Sequence, residues 1–502
     1  MRQRVPSLGR APRSLLAVLA LLAAIGLTPA AAAANFSPAK ATTSGTVLQT
    51  DLVSDLPGVA AVTDGNLVNP WGISESATSP FWISDNGAGL ATLYNVPGAG
   101  NTPVSINPLA VSIPTPVSVT GGTPTGTVFN PSGTAGAFPI TGPDKAGQAT
   151  SLPAVFLFAT EDGTIVGWNP GIDPTGRFDG PNGASTHAVI AMDHSGNNFT
   201  NPDPGQQTGA VYKGLAVATS STPIIPADAD STALLYVSNF RAGVVEVYDA
   251  KFNRVTALPA GAFRDPRLPA HYAPFNVQAL GGKIYVSYAR QNATGHDDVA
   301  GPHRGFVDVF NPDGNPGLPN GKVRLISRGP LDSPWGLAIA PQAFAGLGPP
   351  HNDPVLLVGN FGNGFINAFD ATTGTPLGQL KDPDGEPIQI DGLWTLKFGN
   401  GGSGGAANTL YFTAGPFGES HGLFGSLSTA APGSPEGPAE AQWVRANVEV
   451  VQLDLQQLID DSSSGASAAT IRQDVQTLDA DSQKLSGVER AFAQDTLADA
   501  GR

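Results

Sequence analysis

The chain has 502 residues, no cysteine, and 41 acidic against 26 basic residues, a formal net charge of −15. Without cysteine there is neither a disulfide framework nor a thiolate metal site, so packing and strand pairing must hold the fold. The acidic balance disfavours nucleic acid and anionic lipid as partners.

In chain order, Arg2, Arg4, Arg10 and Arg13 precede an apolar run from Leu15 to Leu27 and the small residues Ala31 to Ala34. This is the pattern of a cleaved secretory signal over residues 1–34. It predicts an exported chain, periplasmic or extracellular, with no transmembrane anchor after cleavage. Removing the four signal arginines takes the net charge to −19. Next comes a β-rich segment, Thr46 to Val53, which belongs to no complete repeat of its own.

Six short strands then open with the same step: Pro70-Trp71-Gly72, Pro124-Thr125-Gly126, Tyr212-Lys213-Gly214, Pro274-Phe275-Asn276, Pro334-Trp335-Gly336 and Ile390-Asp391-Gly392. Their middle residues lie 54, 88, 62, 60 and 56 positions apart. Each opening is followed by a second β-rich run, such as Phe81 to Asp85 or Leu410 to Ala414, and then by a third, such as Gly243 to Asp249. Strand sets at a near-fixed period are the signature of a radial array, and the count predicts an all-β, six-bladed β-propeller over residues 46–427. The sixth repeat lacks an outer strand, so the N-terminal segment is expected to complete it and close the ring. Seven blades would require splitting the long second repeat, residues 122–205. That repeat carries Gly, Pro and Asn-rich insertions at Gly171 to Asn182 and His194 to Gln207.

After a Pro, Gly and Ala linker over residues 428–440, the apolar spacing turns helical: Val444, Val448, Val451, Leu455 and Leu458, then Ile471, Val475, Leu478 and Leu485. Residues 441–500 are predicted to form an amphipathic helical hairpin, a packing or self-association element.

Two rings of candidate residues follow from the repeat register. The opening residues Trp71, Thr125, Lys213, Phe275, Trp335 and Asp391 would surround one mouth of the channel. Aromatic faces there suit a sugar or other flat ligand, oriented by Lys213 and Asp391, although the same aromatics suit inter-blade packing. The ends of the second strands form the other ring, in which Asp85, Glu161, Asn239 and Asn360 offer oxygen ligands for a hard cation such as calcium. Asp and Asn at strand ends equally suit turns that hydrogen-bond their own backbone. The seven histidines show no zinc-binding spacing, and Glu419 and His421 fall together near the last repeat.

The strings Asn66 to Gly72, Trp82 to Gly87, Ala159 to Pro170, Val211 to Ala216 and Asn239 to Arg241 resemble an uncharacterised family of exported bacterial proteins. Some members of that family end in a PEP-type exosortase sorting tail, whereas this sequence carries no Pro-Glu-Pro motif there. More distantly the openings are similar to NHL-repeat propellers, a group that includes binding modules, lactonases and lyases. Fold does not imply a reaction. The reading is an exported binding module for a glycan or an envelope protein. The alternative is a lactonase-like metal-dependent hydrolase or lyase with a cation held in the channel.

Overall fold

A computed structural model describes residues 45–98, 103–196, 209–342, 344, 347, 354–430, 470 and 473. The predicted signal segment, and the C-terminal hairpin apart from Thr470 and Gln473, lie outside the described residues. The long second-repeat insertion after Gly196 does so as well. No helix among the described residues is long and apolar enough to cross a membrane.

The described chain is a six-bladed β-propeller. Blade one comprises Pro70–Ser74, Phe81–Asp85, Leu90–Asn95 and Ser105–Ser112, paired in that order from the axis outward. Blade two follows with Pro124–Phe129, Phe156–Thr160, Thr164–Trp168 and Val189–Asp193. Its extra length is a separate two-stranded hairpin, Pro139–Pro143 with Ala149–Pro153, so the long repeat is one decorated blade. Blade three has three strands, Tyr212–Thr219, Ala233–Asn239 and Val244–Tyr248, where a fourth was expected. Blades four and five begin at Tyr272–Leu280 and Pro334–Ala340, and each has four strands. Blade six is built from Leu393–Phe398, Leu410–Ala414 and Leu423–Thr429.

The fourth strand of blade six comes from the other end of the sequence. Val47–Ser54 pairs antiparallel with Leu423–Thr429, from Val47 opposite Thr429 to Ser54 opposite Leu423, as the ring-closure argument predicted. The open ends of the ring are thereby hydrogen-bonded to each other, which removes two edges at once.

The repeated glycine has a structural cause. A Cβ on Gly72 would lie 2.7 Å from the carbonyl oxygen of Thr125 and the amide nitrogen of Thr127. One on Gly126 would lie 2.8 Å from the Cα of Gly214, and one on Gly336 2.6 Å from the carbonyl oxygen of Trp394. Inner strands of successive blades therefore meet backbone to backbone at the narrow waist of the ring, where no side chain fits. Polar side chains tie the same level together. Thr125 Oγ1 donates to the carbonyl of Tyr212 at 2.9 Å, Asn276 Nδ2 to that of Trp335 at 2.8 Å, and Thr395 Oγ1 to that of Trp71 at 2.6 Å. In blade four, Asn276 stands where other openings carry glycine, and its amide supplies this link to blade five.

Apolar clusters fill the gaps between neighbouring blades, and the axis holds its own aromatic cluster of Trp71, Phe240, Phe275, Trp335 and Trp394. Since the two nearest atoms facing a Cβ on Gly126 are backbone atoms of the next blade, with the Leu215 side chain third, Gly126→Ala cannot be accommodated by a side-chain shift alone. It is expected to cost roughly 1–3 kcal/mol in urea unfolding. An unchanged midpoint would show that the waist is not close-packed.

Candidate functional site

Each second strand runs antiparallel to its inner strand, so its C-terminal end meets the start of the inner strand. The registers are explicit: Pro70 is opposite Asp85, Tyr212 opposite Asn239, Pro334 opposite Asn360 and Leu393 opposite Ala414. The two candidate rings thus lie at the same end of the channel. A cavity of about 220 Å³ opens there, lined by Trp71, Glu161, Lys213, Asp297, Asp298, Ala300, Phe361, Trp394 and Glu419. Every blade contributes to it, which places the cavity on the propeller axis.

Its floor is aromatic. Trp71 and Trp394 stack with centroids 3.5 Å apart, and Phe361 stacks on the far side of Trp394 at 4.0 Å, each pair inclined by 19°. Trp335 meets Trp71 edge-on at 6.1 Å and is itself buried. Such pairs contribute roughly 0.5–1.5 kcal/mol each beyond area burial. The Lys213 ammonium lies 5.0 Å from the centre of the Trp71 ring. Both tryptophan faces are therefore engaged within the protein, and the half-buried Phe361, last in the column, is the ring left to meet a ligand.

The rim is acidic. Lys213 Nζ forms an ion pair with Glu161 Oε1 and lies 4.0 Å from Asp297, while Asn86 Nδ2 donates to Glu161 Oε2 at 2.9 Å. Asn69 bridges floor and rim: its Oδ1 accepts from Trp394 Nε1 at 3.0 Å, and its Nδ2 donates to Glu419 Oε2 at 2.9 Å. Glu419 sits on a left-handed turn, with φ of 57° at Phe417, 64° at Gly418 and 71° at Glu419. Backbone strain of this kind at a non-glycine residue persists only where the surroundings impose it. Here Asp391 Oδ2 holds the turn by accepting from the Phe417 amide at 2.8 Å.

Burial pushes the carboxyl groups of Glu419 and Asp298 above the usual range. For Glu419, the hydrogen bond from Asn69 opposes that rise, and repulsion from Glu161 and Asp298 adds to it. Asp297, outermost and paired with His296 at 2.6 Å, is instead held low, chiefly by that hydrogen bond. Two buried atoms around this cavity have no hydrogen-bond partner: Trp71 Nε1 and Asp298 Oδ2. A buried polar atom left unpaired costs about 1–3 kcal/mol.

The structure sorts the candidate residues. Trp71 and Lys213 line the cavity, whereas Phe275 and Trp335 are axial packing beneath it, and Thr125 is an inter-blade tie. Asp391 is displaced from the ring. The sixth inner strand starts at Leu393, so its ring position is Trp394, and Asp391 acts through the backbone of Phe417. Of the proposed cation ligands, only Glu161 lines the mouth. Asp85 accepts from the Thr92 amide at 3.0 Å, Asn239 Nδ2 donates to Glu246 at 2.8 Å, and Asn360 Nδ2 donates to the carbonyl of Pro330 at 2.8 Å. These three serve turns and strand ends instead. His421 turns away to Asp55 at 2.8 Å, leaving its neighbour Glu419 in the site.

Asp297, Asp298 and Phe361 sit on loops outside the repeat and were not among the candidates, whereas Glu419 was noted only as a neighbour of His421. Trp394 was recoverable, because it stands 59 residues after Trp335, nearer the preceding interval of 60 than Asp391 does. A metal would find Glu161, His296 and Asp297, whose ligand atoms lie within 4.8 Å of one another. Lys213 already supplies positive charge at that point. A second such group, Asp228, Asp230 and Asp249, lies away from the mouth and is paired with Lys251.

Fold and site together define a six-bladed propeller with an aromatic, acid-rimmed mouth on its axis. Among known proteins, uncharacterized protein R648 of Acanthamoeba polyphaga mimivirus is 31% identical over 364 residues, 71% of this chain and 74% of that protein. Uncharacterized protein L690 of the same virus is 30% identical over 354 residues, 68% of this chain and 76% of that protein. The chain belongs to the family of these mimivirus proteins. They are viral, and the bacterial family with sorting tails is not represented by them. No family model matches the chain. Solved structures similar to it include the GH93 α-L-arabinofuranosidase of Fusarium graminearum with arabinobiose, at 10% identity and a TM-score of 0.42, covering 77% of this chain and 98% of that one. A glucose dehydrogenase follows at 13% identity and a TM-score of 0.37, covering 73% and 97%. Likeness at this level adds nothing to the reading of the mouth.

The raised Glu419 carboxyl has a consequence for stability. Its folded-state pKa lies above the ordinary 4.5, so stability falls as pH rises from that value through the folded one. Glu419→Gln is therefore expected to raise the melting temperature at neutral pH and to leave it unchanged in acid. An equal effect at both pH values would contradict the assignment.

Proposed function

We propose that the protein is an exported propeller that binds a small polar ligand at the axial mouth. One observation carries the reading: a cavity lined from all six blades keeps a buried indole N–H and a buried carboxylate oxygen without partners. Protein interiors rarely leave such atoms unpaired unless something else completes them. A mouth with rigid walls and a few convergent polar groups is the usual form of a small-molecule site. Export is supported by the basic and apolar segments that open the sequence. The sugar-facing role expected of the tryptophans passes to Phe361, with Lys213, Glu161, Asp298 and Glu419 setting orientation.

A second reading has its own observation in the grouping of Glu161, His296 and Asp297, which suits a divalent cation such as calcium and metal-assisted hydrolysis. The ion pair of Lys213 with Glu161 favours the first.

Thermal melting against a panel of monosaccharides, disaccharides, amines and divalent cations separates the two readings. The binding reading predicts that an organic ligand stabilises the protein, by about 2.7 kcal/mol at a hundredfold excess over Kd. That gain should be lost in Phe361→Ala and in Asp298→Asn. Stabilisation by cations alone, abolished by chelator and by Asp297→Asn, would favour the metal reading. Organic-ligand stabilisation that survives both site substitutions would place the site elsewhere.

A further inference from the structure

Resting on the binding reading above, we infer that the ligand of the mouth carries a positively charged nitrogen beside a hydrogen-bond acceptor, as in an amino sugar. Charge sets the first requirement on the ligand. Glu161, Asp297, Asp298 and Glu419 line the cavity, and among the described residues Lys213 is the one basic residue that does so. Lys213 is already committed to Glu161 and to the Trp71 face. Asp298 Oδ2 has no partner at ordinary hydrogen-bond distance, its carboxyl pKa being lowered only in part by the neutral Ser333 hydroxyl, and Glu419 receives one neutral donor, the Asn69 amide. Glu419 and Asp298 also repel each other across the cavity. A ligand ammonium placed between them would supply charged donors where the protein offers none, and charge-assisted hydrogen bonds are the strong ones.

The second element is independent of the acids. Trp71 is 2% exposed and its Nε1 has no acceptor, although it lines the same cavity. An indole nitrogen only donates, so a ligand that reaches it must present an acceptor. A cation without an acceptor, such as a bare metal ion, leaves this N–H unpaired. A sugar hydroxyl or ring oxygen satisfies it. The half-buried Phe361 ring at the end of the aromatic column supplies the apolar contact that a pyranose face makes. A cavity of about 220 Å³ suits one ligand of monosaccharide size.

Three hexoses of nearly equal shape test the charge directly: glucosamine, glucose and glucuronate. They are titrated into the full chain at about pH 6, where a sugar amine of ordinary basicity is protonated. Tryptophan emission is the readout, since Trp71 and Trp394 line the site and Trp335 packs beneath it. Glucosamine is expected to bind about tenfold or more tightly than glucose, and glucuronate more weakly still. In Glu419→Gln the ratio of glucosamine to glucose affinity should shrink about tenfold, and a melting transition unchanged in acid separates lost charge from lost fold. Glucose or glucuronate binding as tightly as glucosamine would overturn the inference and leave the binding reading standing. Silence from all three would overturn the inference as well, and the wider panel would then judge the binding reading on its own.

Discussion

The close approach of inner strands at the glycine waist is the constraint from which the remaining architecture follows. Backbone against backbone, Gly72 meets blade two, Gly126 meets Gly214, and Gly336 meets Trp394. Polar side chains such as Thr125, Asn276 and Thr395 then bond carbonyl groups of the next blade. A ring this tight leaves no room for a wide water channel at its narrowest level. The large side chains adjoining the glycines, Trp71, Lys213, Phe275, Trp335 and Trp394, are gathered at the axis instead. They plug the channel and form the floor on which the mouth rests.

The mouth combines backbone strain, desolvated carboxyl groups and an unpaired donor within one cavity. Asn69, Phe417 and Glu419 adopt left-handed backbone conformations beside it. Carboxyl groups of Glu419 and Asp298 are desolvated, and Trp71 Nε1 is unpaired. Away from the mouth, the apolar clusters between blades and the closing pair of Val47–Ser54 with Leu423–Thr429 follow ordinary packing and pairing rules.

How far the sequence could be read follows from what repeats and what does not. Strands Phe81–Asp85 and Leu410–Ala414 match their predicted limits, and the closing strand was legible because the sixth repeat lacked a partner. Those features recur with the blade period. Asp391 was misplaced because Gly392 imitates the opening step, whereas Thr395 occupies that level in blade six and ties it to Trp71 through a hydroxyl. Asp85, Asn239 and Asn360 have the chemistry of cation ligands, yet at strand ends the nearest partners are local backbone and side-chain groups. Asp297 and Asp298 come from one loop and Glu419 from another, where neither period nor pattern signals that the two segments meet.

A high-resolution crystal structure of the ligand-free protein tests the central claim most directly, since the claim concerns a preformed mouth. The account predicts the Trp71–Trp394–Phe361 column, the Lys213–Glu161 pair, and ordered water or a captured solute within hydrogen-bonding distance of Trp71 Nε1 and Asp298 Oδ2. A mouth in which those two atoms are satisfied by other protein groups, with the cavity closed, would contradict it.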